Sequence, residues 1–208
     1  MPVIPGVMAL GDGDELHGPG TGGWSLVELL VVMAVIAILM ALLLPAAGLV
    51  QRAALKSRTM LQFQQYRSAY EHFRAEYGHY PTMGVDGARF TLRDNNAVFV
   101  ETLSGRGLSG GEPLDVYARK ANFRRIPFHS FSEAEFSPEG NTYAGEIVDA
   151  FGNPDIVVVV DGEGSGVIPP SALAEIPHAS AEPVREGVIL YSRNAQERDD
   201  WQWVYSWR

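Results

Sequence analysis

The sequence predicts an α+β protein in which a long N-terminal helix, transmembrane in its first half, packs against a small antiparallel β-sheet. Three observations predict it. Leu29 to Val50 is a run of twenty-two residues without a charge, LLVVMAVIAILMALLLPAAGLV. As a helix rising about 1.5 Å per residue it would measure about 33 Å, enough for a bilayer core of about 30 Å. Beyond it, apolar and aromatic residues recur at helical steps up to Tyr77. Finally, IVVVVD from Ile156 and GVILYS from Gly187 have the β-branched and aromatic content of short strands.

In chain order, residues 24–50 form the transmembrane and assembly part of the helix, apolar on every side from Leu29 to Val50, as a lipid-facing or fully buried helix is and an amphipathic surface helix is not. Residues 51–80 continue the helix as an amphipathic segment, with Ala54, Leu55, Leu61, Tyr66, Ala69, Tyr70, Phe73 and Tyr77 at three, four and seven residue steps. Gly78 and Pro81 supply the stop, because glycine suits the left-handed residue after a helix and proline cannot continue one. The expected helix thus runs from about Leu26 to Tyr77. Residues 81–208 are expected to form a globular head, with a short helix from Asn95 to Leu103, the two strands, a turn at Asp161 to Gly166, and a third strand in the terminal WQWVYSW. A sheet laid over the amphipathic part of the helix buries both apolar faces.

Composition excludes several functions. Sixteen basic against twenty-five acidic side chains give a net charge of −9, unsuited to broad capture of nucleic acid, so no nucleic-acid partner is expected. With no cysteine, disulfides, thiolate metal sites and cysteine nucleophiles are excluded. Gly105 to Gly110 fits G-x-G-x-x-G and Gly107 to Gly111 fits G-x-S-x-G, but ETLS is no apolar strand, and a flexible glycine loop is the better account. His72, His79, His129 and His178 show no metal-ligand spacing, and Arg119, Lys120, Arg124 and Arg125 form a small basic cluster that reads as a solvated face. No catalytic residues are expected, and the chain is not expected to be an enzyme.

The segment before the span, Gly22-Gly23-Trp24-Ser25-Leu26-Val27-Glu28, resembles the signature of type IV prepilins and type II secretion pseudopilins: a glycine, an aromatic residue, Ser or Thr, an aliphatic pair and a glutamate. Pro45 is a second match, at the helix-kinking proline of many pilins, and Gly78-His79-Tyr80-Pro81-Thr82 resembles the Gly-x-Tyr-Pro-Thr of major pseudopilins. The resemblance implies a pilin-like fold with a leader, residues 1–23, cut after Gly23 by a prepilin peptidase, and N-methylation of Trp24. It also implies an assembly role for Glu28, neutralised by the N-terminal ammonium of a neighbouring subunit, and for Pro45. A carboxylate at the edge of an apolar span costs up to about 2.5 to 3.5 kcal/mol and so needs a partner. Residues 1–23 carry Asp12, Asp14 and Glu15 but no Lys or Arg. Charge bias alone would therefore place the C-terminal part in the cytoplasm, whereas the cleavage motif puts the leader there.

Asp149-Ala-Phe151-Gly152-Asn153-Pro154 resembles a turn of the same family, and Tyr191-Ser192 through Asp199-Asp200 to Trp207 resembles its calcium loop, short of one oxygen ligand near Gln196. Asp199 and Asp200 are therefore candidate ligands, and Ca2+ the one candidate cofactor. Asp161, Glu163 and Ser165 match the first half of an EF-hand loop but lack its final acid, so a turn is the better account. The resemblance implies a structural subunit that polymerises with itself into a type II secretion pseudopilus, working with an inner-membrane assembly platform and minor pseudopilins. It would be a single-pass inner-membrane protein, head in the periplasm, periplasmic as an assembled filament. The alternatives are a type IV pilus subunit and a membrane-anchored binding domain.

Overall fold

In a computed structural model of the chain, the described residues are 24–84, 89–108, 111–141, 145–174, 176, 182–192 and 203–207, without the side chains of 42–47. Two compact units divide the chain, Met1–Gly48 and Leu49–Arg208. The helix α1, Leu26–Tyr77, has residues in both. Then come β1 (Arg89–Thr91), α2 (Leu92–Ser104), α3 (Val116–Ala121), β2 (Ile156–Val160), β3 (Val188–Ser192) and β4 (Val204–Tyr205), with single 3-10 turns at Glu133–Glu135 and Pro170–Leu173.

In the first unit every described side chain of α1 is exposed. Among the described residues, however, no helix is long and apolar enough to cross a membrane, which corrects the transmembrane expectation.

In the second unit α1 carries a narrow stripe. Thr59, Phe63, Tyr66, Tyr70, Phe73 and Tyr77 alternate steps of four and three, and all but the partly covered Tyr77 are buried. This differs from the expected face in detail: Leu61 and Ala54 lie outside the stripe, exposed, while Thr59 and Phe63 lie in it. Large aromatics hold the stripe because they reach across to neighbouring elements. Tyr66 meets Phe99 of α2 edge-on with ring centres 5.2 Å apart, and Phe73 meets Phe128 at 5.1 Å. Burial of each such ring contributes about 1.5 to 3 kcal/mol.

The sheet is antiparallel throughout, ordered β1-β2-β3-β4, with Val158 opposite Leu190 and Tyr191 opposite Tyr205. Alternation sorts its side chains. Ile156, Val158, Val160, Val188, Leu190 and Val204 share the core of the α1 stripe. Val157, Val159, Ile189 and Tyr191 face the other way, under Ile168, Leu173 and Ile176. Both faces are covered, which is why β2 is an unbroken IVVVV rather than an alternating pattern. β1 and α3 are the elements the sequence did not mark.

Short polar ties fix the helix ends. Thr91 caps α2, accepting from the Asp94 N–H at 3.4 Å, and Gly105 ends it at a φ of 67°, where only glycine is unstrained. Buried Asn122 donates to the carbonyls of Thr102 and Ile126 at 2.9 and 2.8 Å and accepts from the Ile126 N–H and the Tyr77 hydroxyl at 2.9 and 2.8 Å. After the α1 stop, Tyr80 packs closely on Gly187 beside the start of β3, and a Cβ there would overlap its hydroxyl and ring. Gly187→Ala should therefore destabilise the fold by about 2 to 3 kcal/mol in urea unfolding. An unchanged midpoint would show that Tyr80 can leave its seat freely.

Candidate functional site

The start of α1 is built by two side chains. The Ser25 hydroxyl accepts from the Glu28 N–H at 3.2 Å, and the Glu28 carboxylate accepts from the Ser25 N–H at 2.8 Å. The Leu29 N–H reaches the Ser25 carbonyl at 3.2 Å, the first helical bond. This reciprocal pair is a capping box, with Trp24 and Leu29 at the positions of a hydrophobic staple. Glu28 therefore has its partner within the chain, three residues away. The signal was present in the sequence as Ser-x-x-Glu ahead of an apolar run.

Of the other expected site residues, Trp24 is 74% exposed. Gly23, Asp199 and Asp200 lie outside the described residues, and so do the leader, residues 1–23, and Gln196. Pro45 lies within the span of α1, its side chain likewise outside the description. Among the described residues no group of three or more His, Asp or Glu side chains is placed to hold a metal ion. The EF-hand-like loop shows why. Asp161 accepts from the N–H groups of Glu163 and Gly166 and from the Ser165 hydroxyl, so its carboxylate shapes its own turn. Gly105 follows α2 rather than preceding a helix, which removes the context a phosphate-binding glycine loop requires. In the basic cluster, Arg124 pairs with Glu76 and Arg125 with Glu112.

Two buried polar clusters went unmarked in the sequence, because their members come together only in the fold. In the first, the Glu135 carboxylate lies 3.0 Å from His129 Nε2 and accepts from the Tyr66 hydroxyl at 2.7 Å and the Ser132 N–H at 2.8 Å. Their side chains are 10% exposed for His129 and 12% for Glu135. Burial pushes the Glu135 carboxyl up, but the hydrogen bonds from His129, Ser132 and Tyr66 outweigh it and hold it below the usual value. In the second, Asp149 accepts from the N–H groups of Phe151 and Asn153 at 2.9 and 3.0 Å and from the Ser192 hydroxyl, pinning the Phe151-Gly152-Asn153 turn to the end of β3. There burial prevails over those bonds and raises the Asp149 carboxyl. The Ala150 N–H, on the same turn, donates to the buried Thr59 hydroxyl of α1 at 3.1 Å.

A third polar group closes the α1 stop: the Tyr80 hydroxyl donates to Glu71 at 2.7 Å and accepts from Arg74 at 3.0 Å. Burial and the bond to Glu71 push the phenol up to about 12. These groups lock turns and helix ends together.

No protein-family model matches the chain, and neither a curated protein nor a solved structure matches it. The likeness of residues 22–82 to prepilins and pseudopilins is therefore a local one. Its strongest element, Ser25 to Glu28 before an apolar run, has its own physical cause as a helix-capping device. The expectations that depend on the likeness are corrected accordingly: a pilin-like fold, prepilin-peptidase processing, and a homopolymeric secretion pseudopilus or type IV pilus. The same correction applies to partnership with an assembly platform and minor pseudopilins, and to a single-pass inner-membrane location, for which no sufficient helix is present among the described residues.

The two carboxylates predict opposite pH responses. Glu135 is held low, so its contribution is present above about pH 4.3 and is lost as pH falls through its folded value. Glu135→Gln should flatten the acid limb of a stability profile while lowering the neutral plateau by about 1 to 2 kcal/mol. Asp149 is held high, so its contribution is complete below about pH 3.9 and is lost as pH rises through its folded value. Asp149→Asn should therefore unfold within about 1 kcal/mol of the parent at pH 7, whereas Asp149→Ala should lose about 2 kcal/mol by leaving two N–H groups unpaired. Urea titrations across pH 3 to 8 check both signs.

Proposed function

We propose that this chain is a non-catalytic interaction protein, held by a protein partner through the apolar helix of its first unit. The observation that carries this is the exposure of that helix. Its large apolar side chains from Leu26 to Met40 that are described as exposed, Val31, Val35 and Ile38 among them, lie between 41 and 79% open to solvent. Continuous apolar surface of this kind marks an interaction site, because leaving it in water is unfavourable by about 25 cal/mol per Å². Since the exposure goes all round the helix, its cover must come from several sides, as a bundle of partner helices provides. The polar clusters support the non-catalytic part: Glu135, Asp149, Tyr80 and Asn122 are each engaged in bonds that hold the fold.

A photo-crosslinking residue placed at Ile36 tests this in the producing cell. The expected outcome is a discrete protein–protein adduct, reduced at least about tenfold by Val35→Glu with Ile38→Glu, with far-ultraviolet circular dichroism unchanged. Adducts to lipid alone, or none above background, would contradict the proposal.

A further inference from the structure

An open cleft of about 500 Å³ lies between the C-terminal end of α2 and the segment Pro127 to Phe136. Its apolar lining comes from Val100, Leu108, Phe131 and Phe136, and its polar groups include Arg106 and His129. We propose that this cleft binds a small organic carboxylate with an apolar body.

The His129 imidazole is fixed from behind. The N–H groups of Phe128 and His129 both donate to the Leu103 carbonyl, at 2.8 and 3.1 Å, docking the segment on the end of α2. The ring stands edge-on to Tyr66 and Phe131, with centres 5.0 and 4.5 Å away. Nε2 faces the Glu135 carboxylate, which fixes the plane of the ring. Glu135 is in turn held by Tyr66 and Ser132, so the imidazole is oriented before any ligand arrives.

Arg106 supplies the charge. It is exposed, and among the described residues no carboxylate pairs with its guanidinium, unlike Arg124 and Arg125 nearby in sequence. A guanidinium fork matches a carboxylate through two parallel N–H bonds. The glycines keep its loop in place: a Cβ on Gly107 would meet the Glu112 carbonyl oxygen at 2.5 Å, and one on Gly105 would meet the Arg125 backbone at 2.7 Å. One guanidinium beside an aliphatic and aromatic lining suits a singly charged acid with an apolar body better than an inorganic anion. The volume falls within the range of about 300 to 1,000 Å³ usual for small-molecule sites.

The full chain, labelled with 15N, is titrated separately with phenylacetate, hexanoate, phenylacetamide and inorganic phosphate, following amide and imidazole resonances. At least one of the two carboxylates should saturate below about 10 mM, with shifts centred on Val100, Leu108 and His129 to Phe131. Phenylacetamide and phosphate should bind at least about tenfold more weakly than the better carboxylate. Arg106→Gln should weaken that carboxylate at least about tenfold without moving the thermal midpoint, whereas Arg119→Gln, which removes an exposed charge elsewhere, should not. The proposal is overturned if neither carboxylate saturates, if the amide or phosphate binds as well, or if Arg106→Gln binds like the parent.

Discussion

Everything in the second unit depends on the aromatic stripe of α1. Phe63, Tyr66, Tyr70 and Phe73 are fully buried, and the sheet, α2 and the segment around Phe128 are arranged so that each meets one of these rings or shares their core. Most helical stability in a protein comes from packing one apolar side rather than from propensity. The 4-3 spacing makes the stripe narrow, so a single layer of strands and one short helix suffice to cover it. The sheet then needs a second cover for its far side, which Ile168, Leu173 and Ile176 provide.

Polar groups decide where that layer stops. Thr59 holds the turn of Asp149, Tyr66 passes a hydrogen bond to Glu135 and so to His129, and Tyr77 closes on Asn122. Residues of the stripe thus contribute an apolar body to the core and a hydroxyl to its rim, as tyrosine does when its O–H finds a partner. The same arrangement that fixes the Pro127 to Phe136 segment also orients His129 toward the cleft beside Arg106. Site and fold share their supports there.

How much of this the sequence carried varies with range. β2 and β3 were legible because five consecutive apolar, mostly β-branched residues admit little else at that length. α2 was legible in outline, although its start at Leu92 escaped notice because Thr91 serves as both strand end and helix cap. β1 is only Arg-Phe-Thr, too short and too polar to show a period. Leu61 looked like a core residue by type and Phe63 was missed, since a three-to-four spacing drawn from the wrong origin lands on the neighbouring face. The partners of Glu135 and Asp149 are Tyr66 and Ser192, far away in the chain, and no local pattern brings them together. Glu28 was the opposite case: its hydrogen-bonding partner Ser25 was in view, three residues away.

The central claim is that one helix has two different supports, packing from Thr59 to Tyr77 and, as proposed, an external cover from Leu26 to Ala41. Native-state hydrogen exchange of the isolated chain tests it directly. Amides from Phe63 to Phe73 should exchange only through global unfolding, and those from Leu29 to Met40 at least about a hundredfold faster, because among the described residues nothing buries their side chains. Equal protection along the whole of α1 would contradict the account, for the first half would then be held by the protein itself.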